Sequence, residues 1–172
     1  SDMNKDVNRL SVIAERFSKI GSKPEMELIY VNEVLENATE YMRRRVSDKV
    51  LITTHLPSDA EGAMVCLSLF EWVIENLCKN AVDAMNGEGR IDVYMTSEKQ
   101  QIYIDIKDTG KGIARKNFKT VFNPGYTTKK RGWGLGLTLA KRIIEDYHAG
   151  RIYVKDSEAV SYTHLTLPTN RE

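Results

Sequence analysis

The sequence predicts an α+β fold: a two-layer α/β sandwich, with a mixed, mostly antiparallel sheet and helices on one face. Three observations predict it. Short β-branched runs are joined mostly by hairpin-length turns. Between them lie amphipathic segments whose apolar residues recur at helical spacing. One long glycine-rich connection interrupts the last third of the chain, a length that in compact domains marks a functional or a disordered segment. With 172 residues, 41% of them apolar, one core forms without disulfide or metal staples.

The elements follow in order. Asn4 to Ile20 sets Val7, Leu10, Ile13, Ala14, Phe17 and Ile20 on one helical stripe, broken by Gly21-Ser22-Lys23-Pro24, where Pro24 disfavours helical geometry at Lys23. Glu27 to Val31 reads as a strand. Asn32 is placed to cap a helix with Val34, Leu35, Ala38, Met42 and Val46 on its inner face. Val50 to Leu56 is a strand closed by Pro57-Ser58-Asp59, and residues from about Leu67 to Met85 form the strongest helix, ended by Asn86-Gly87. Arg90–Thr96 and Gln101–Lys107 make a hairpin across Ser97-Glu98-Lys99-Gln100. From Asp108 to Gly136 come six of the eleven glycines, with Lys111, Arg115, Lys116, Lys119, Lys129, Lys130 and Arg131. Within it, Lys111 to Trp133, few in apolar anchors, is expected to be mobile when no ligand is bound. Leu135 to Tyr147 resumes as a helix, Arg151 to Lys155 as a strand, and Val160 to Pro168 closes the chain.

Composition narrows the function. Twenty-five Lys and Arg against 24 Asp and Glu give a net charge of +1, which argues against a nucleic-acid or anionic-lipid binder. Cys66 and Cys78 sit in apolar helical sequence and read as reduced core residues of a cytosolic protein. No apolar run reaches the roughly 18 residues of a membrane span, and the opening Ser1-Asp2-Met3 does not read as a signal peptide.

Three motifs carry chemistry. Asn76 and Asn80 lie four apart on one helical face, where amide oxygens can serve a hard cation that keeps several waters. Alone, such a pair reads as two surface amides. Asp108-Thr109-Gly110-Lys111-Gly112 follows a strand. A carboxylate there can accept from an exocyclic amine while the glycines admit a flat ligand, although the same residues also spell an ordinary turn. Gly132-Trp133-Gly134-Leu135-Gly136-Leu137 opens a helix behind Lys129, Lys130 and Arg131, leaving backbone amides free to meet phosphate.

Together, in this order, Asn-Leu-x-x-Asn-Ala, Asp-x-Gly-x-Gly-Ile and Gly-x-Gly-Leu-Gly-Leu resemble the ATP-binding fold shared by histidine kinases, the large heat-shock chaperone, gyrase-type topoisomerases and mismatch-repair ATPases. Phe122-Asn123-Pro124-Gly125-Tyr126-Thr127-Thr128-Lys129 adds a likeness to the phenylalanine box in the lid of histidine kinases. One position separates the branches. The hydrolases of this fold carry a Glu where this chain has Asn76. The neighbouring Glu75 is rotated by about 100° along the helix and points elsewhere. Without that base the resemblance favours a sensor histidine kinase, which uses an external imidazole as acceptor.

The resemblance implies a division into the end of a dimerisation and phosphoacceptor helix with its linker (1–22), a catalytic ATP-binding domain (23–157), and an atypical C-terminal segment (158–172). It implies that Asn80 holds Mg2+, with Asn76 on the phosphate side and Lys79 completing the catalytic set. Asp108 takes adenine, while Gly110, Gly112 and Ile113 shape its pocket. In the ATP lid, Lys111 to Trp133, the residues Tyr126, Thr127, Thr128, Lys129 and Arg131 face the nucleotide. Phe122 and Tyr126 pack the lid against acceptor helices, nucleotide or the lid itself. Gly132, Gly134 and Gly136, with Leu135 and Leu137, open the helix that meets the β- and γ-phosphates. Asp83 stands where many sensor kinases continue with Lys-Tyr, marking a different subgroup, and is grouped with the nucleotide-binding residues.

The acceptor His is expected on a hairpin helix outside this chain. Of the three histidines, His55 lies in a strand, His148 caps a helix before Ala149-Gly150, and His164 is terminal. The family ends in Gly-x-Gly-Thr-x-Phe. Here Ser161-Tyr162-Thr163-His164-Leu165-Thr166-Leu167-Pro168-Thr169 stands instead and resembles a translated sequencing adaptor. Leu165 and Leu167 alternate with threonines, so this foreign-looking segment is able to supply the last strand. The implied partners are the phosphoacceptor hairpin and a response regulator, with a monomeric fragment and a homodimeric full protein. Membrane attachment of that full protein stays open. Two alternatives stand beside the kinase: a nucleotide-binding or interaction module without kinase activity, and an ATPase of the same fold.

Overall fold

The computed structural model describes residues 24–126, 136–157 and 160–169. Strand β1 (Glu27–Tyr30) runs straight into helix α1 (Val31–Arg43). Then come β2 (Val50–His55), β3 (Gly62–Val65), α2 (Leu67–Ala84), β4 (Gly89–Glu98) and β5 (Gln101–Asp108). Two short 3-10 turns, Arg115–Asn117 and Thr120–Phe122, precede α3 (Gly136–Arg142). Strands β6 (Arg151–Ser157) and β7 (Val160–Pro168) end the fold.

Five strands form the main sheet in the order β2-β4-β5-β7-β6, with only β2 and β4 parallel. Leu165 and Leu167 of β7 stand opposite Ile104 and Ile102 of β5. All four are buried, as the period-2 pattern requires. That face also carries Ile91, Val93, Ile106, Ile152 and Val154, and meets Leu35, Phe70, Ile74, Ile143 and Ile144 from the helices in one continuous core. The other face is polar. There His55 bonds Asp92 at 2.8 Å and stacks on Tyr94, while Arg90 grips the same carboxylate.

Four local readings are corrected by the structure. Gly62–Val65 was not foreseen as a strand, yet it pairs antiparallel with β1. Four residues with one glycine are too short to show alternation. Asn32 does not cap α1, whose N-cap is Tyr30 without a side-chain bond. Its amide instead donates to the carbonyls of Pro57 and Asp59 and accepts the Glu61 N–H, pinning the loop before β3. The helix expected to run to Tyr147 widens from α3 into a π-turn, Ile143–Tyr147. Finally, residues 111–126 are better anchored than their glycines suggest. Val121 and Phe122 are buried, and Ile113, Phe118 and Tyr126 pack on the core. The 3-10 turns bring Phe118, Val121 and Phe122 to one side, as spacing of three and four allows.

Candidate functional site

Helix α2 sets the site. Asn76, Asn80, Asp83 and Ala84 follow i, i+4, i+7, i+8 spacing, which places them along one side of the helix over about 12 Å. The interior side carries Val73, Ile74, Leu77 and Cys78, all buried. Glu75 belongs with them: it is 9% exposed. Burial pushes the Cys78 thiol up to about 12, with the charge of Glu75 adding to the rise. Glu75 is therefore turned away from the strip, as the helical rotation predicts. Lys79 and Asp83 are exposed on the strip's flanks, and Asn80 is half-buried at its middle.

At the Ala84 end the strip meets the turn after β5. Gly110 packs so closely that a Cβ would lie 2.6 Å from the Ala84 carbonyl carbon and oxygen. Only glycine permits that approach. The Lys111 N–H donates to Ala84 O at 3.2 Å, and Gly112 turns the chain with φ +74. The Gly110 N–H donates to Asp108 Oδ1 at 2.7 Å. Burial pushes the Asp108 carboxyl above its ordinary value, against the pull of that hydrogen bond. Thr109 ties the turn to β4, accepting the Arg90 N–H at 3.1 Å. Ile113 packs on the core just beyond.

At the Asn76 end the strip meets the start of α3. A Cβ on Gly136 would lie 2.8 Å from Asn76 Oδ1 and 2.9 Å from Nδ2, so a larger residue there would require the Asn76 amide to move. Among the described residues, Asn76 Nδ2 and Thr169 Oγ1 are the buried side-chain atoms left without a hydrogen-bond partner. An orphaned buried donor costs about 1–3 kcal/mol and wants an acceptor from outside. Leu137 packs behind Gly136, and the Thr138 hydroxyl donates to Phe122 O at 2.8 Å, tying α3 to the preceding loop.

The structure thus brings Asn76, Asn80, Asp108, Gly110, Gly136 and their neighbours to one strip. Phe122 is not free to meet a partner; it is 7% exposed, with Lys141 Nζ 5.4 Å from its ring centroid. Tyr126 is partly buried against the core. Thr127, Thr128, Lys129, Arg131, Gly132, Gly134 and Leu135 lie outside the described residues. Sequence reasoning missed Ala84 and Thr138. Ala84 acts through its backbone carbonyl, which leaves no trace in side-chain chemistry. Thr138 had a signal, a hydroxyl in the first turn of a helix that follows a loop.

The donor set suits a hard cation bound mostly through phosphate and water. Asn76 and Asn80 bring two carboxamides to the strip with Asp83 at its flank, and no group of three or more His, Cys, Asp or Glu among the described residues forms a protein cage. The unpaired Asn76 amide fits a phosphate oxygen, and the Asp108 carboxylate fits an amine.

Comparisons with known proteins agree on one family. The family described as "Histidine kinase-, DNA gyrase B-, and HSP90-like ATPase" matches residues 67–171. Sporulation kinase A of Bacillus subtilis is 40% identical over 82 residues, 48% of this chain and 13% of that protein. The sensor histidine kinase ZraS of Escherichia coli is 38% identical over 99 residues, 57% of this chain and 21% of that protein. The chain therefore spans about an eighth to a fifth of the curated relatives it matches. The catalytic domain of histidine kinase ThkA has the same fold, with TM-score 0.77 at 22% identity over 84% of this chain and 95% of that one. ThkA in complex with the response regulator TrrA aligns with TM-score 0.78 at 18% identity, over 97% of this chain and 49% of that one. With strip, turn and helix start arranged on this fold, the chain belongs to the histidine kinase-, DNA gyrase B- and HSP90-like ATPase family.

Proposed function

We propose that this chain is the ATP-binding catalytic domain of a sensor histidine kinase, transferring the γ-phosphoryl group of Mg-ATP to a histidine on a phosphoacceptor hairpin. One observation carries the reading: a single side of α2 is bracketed by Gly110 at Ala84 and by Gly136 at Asn76, with an unsatisfied amide at the second end. Adenine belongs at the Asp108 end, its amine donating to the carboxylate. The triphosphate belongs at the Asn76 end, where the start of α3 presents backbone N–H groups. Asn80, with Asn76 on its phosphate side, would hold Mg2+, which when bound neutralises phosphate charge. Lys79 adds positive charge along the same path, and Lys129 and Arg131 are the lid's candidates for phosphate by sequence.

The strip offers no carboxylate at position 76 to activate water, so hydrolysis is slow. The acceptor is an imidazole nitrogen, nucleophilic without a protein base at that place. Its lone pair attacks the γ-phosphorus, the bond to the β,γ-bridging oxygen breaks, ADP leaves, and the other ring nitrogen gives up its proton to water. This chain's residues align the reactants and hold charge. In sequence, residues 1–22 are assigned to the dimerisation and phosphoacceptor region with its linker, 23–157 to the catalytic domain, and 158–172 to an atypical C-terminal segment, of which Val160–Pro168 pairs as β7. No helix among the described residues is long and apolar enough to cross a membrane. The domain works in the cytoplasm, with the hairpin and a response regulator as partners. The kinase–regulator complex of ThkA supports the second of these.

The test adds γ-labelled ATP and magnesium to the chain together with a matching phosphoacceptor hairpin. Acid-labile phosphate on the hairpin, lost with Asn80→Ala, is the expected result. Steady phosphate release without the hairpin would identify an ATPase instead, and no binding at millimolar ATP an interaction module.

A further inference from the structure

His148 is 3% exposed and uses both ring nitrogens. Nε2 accepts the Cys66 N–H at 3.1 Å, and Nδ1 sits 2.8 Å from Ile143 O. An acceptor at Nε2 and a carbonyl at Nδ1 dictate one neutral tautomer, with the proton on Nδ1. Burial lowers the ring's pKa, against the pull of the Ile143 carbonyl, which agrees with a neutral ring.

The two partners belong to different helices. Cys66 is the N-cap of α2, with no side-chain bond of its own to cap the helix. Ile143 opens the π-turn that ends α3, where wider winding offers a carbonyl to a side chain. Helices α2 and α3 run antiparallel, since the end of α3 meets the start of α2 while Gly136, at the start of α3, meets Asn76. Ten residues separate Cys66 from Asn76, about 15 Å of helix. The ring's two bonds thus tie the end of α3 to the start of α2, while the start of α3 lies against the Asn76 amide. Sliding α3 along α2 therefore changes the ring's bond to the Cys66 N–H and the Gly136–Asn76 contact together. Between them Phe70, Val73, Ala140, Ile143 and Ile144 are buried, in apolar contact that is non-directional.

We infer that His148 is a positioning residue for the phosphate side of the site, setting the axial register of α3 against α2 and so the placement of Gly136 over Asn76. This rests on the nucleotide reading above, and it assigns the ring a role in ligand discrimination beyond holding the fold together.

The experiment titrates the chain with Mg-ATP and separately with adenosine, which has no phosphates. His148→Phe keeps ring volume and removes both hydrogen bonds; His148→Gln restores an amide at the Nε2 position. The expected result for His148→Phe is about a tenfold loss of ATP affinity with less than about a twofold change for adenosine, and recovery to within about threefold in His148→Gln. A wild-type ratio of ATP to adenosine affinity in His148→Phe, with only a lower melting temperature, overturns the inference. If that variant does not fold, the ring nitrogen shifts of the wild type decide: a proton on Nδ1 is expected, and a proton on Nε2 overturns the inference. Failure of wild type to bind ATP defeats the functional reading itself, a result distinct from an unchanged ratio.

Discussion

The two ends of the α2 strip are built on opposite terms. At Ala84 the polar groups of the turn find partners within the chain: Lys111 N–H on Ala84 O, Gly110 N–H on Asp108, and Thr109 between β4 and Met85. At Asn76 the amide nitrogen is buried and unpaired against a glycine. The first end is finished before any ligand arrives; the second is complete only with an acceptor supplied from outside. A flat base needs a preformed slot, whereas a flexible triphosphate is met by donors left without internal partners.

The largest effect should come from breaking the finished end. Gly110→Ala sets a methyl group 2.6 Å from backbone atoms of Ala84, which cannot swing aside. It is expected to cost about 3 kcal/mol of stability, seen as a fall in the denaturation midpoint, and to abolish nucleotide binding. An unchanged melting curve would show that the Ala84 end is looser than its geometry states.

Asp108→Asn separates binding from folding at that same end. Asn can still accept the Gly110 N–H through Oδ1, so the turn holds. If adenine binds here as proposed, the NH2 group of Asn meets its amine, donor against donor, and ATP affinity should fall about a hundredfold in calorimetric titration. Burial raises the Asp108 pKa, so the ionised carboxylate works against folding at neutral pH. The variant should accordingly melt no lower than wild type.

The open end should answer differently. Asn76→Ala removes an unpaired buried donor, so stability stays level or rises while ATP affinity falls about tenfold. A destabilised variant that binds ATP normally would reverse the comparison, making Asn76 a structural residue and the strip's second end as self-sufficient as its first.

How much of this could be read from the chain depends on whether a residue acts through its side chain. Asn76, Asn80 and Asp108 can be singled out as candidates by spacing and type, and the buried Leu165 and Leu167 by alternation. The close packing of Gly110 on Ala84 and of Gly136 on Asn76 was not legible, because a glycine's neighbours are chosen by the fold rather than by local propensity. The strand Gly62–Val65 exists through its pairing with β1. Asn32 had the composition of a cap, but the loop after Pro57 competed for its amide and won three hydrogen bonds. The glycines of the loop after Asp108 drew attention from Phe118, Val121 and Phe122, which hold its first half down.

A smaller effect tests the far end of α2. The folded-state pKa of His148 is depressed, so the native protein resists a proton that the unfolded chain takes up at an ordinary histidine value of about 6.5. The contribution is present above that pH and is lost as pH falls. Stability measured from pH 7.5 to 5.5 should decline, and His148→Gln should flatten the decline. Equal slopes would place the titrating group elsewhere.

The smallest effect is a control far from both ends. Lys99 and Gln100 turn the β4–β5 hairpin with φ +49 and +63, a left-handed pair that side chains with a Cβ adopt at a cost. Replacing them with Asn-Gly should raise stability by about 1 kcal/mol in urea denaturation and leave ATP affinity unchanged. Strain in this turn has no ligand to meet, so removing it should have no functional consequence, whereas removing the unsatisfied amide at Asn76 should. If the turn replacement altered nucleotide affinity, strain and unpaired groups would be coupled through the sheet. The contrast between a finished end and a waiting one would then describe the whole domain rather than one side of α2.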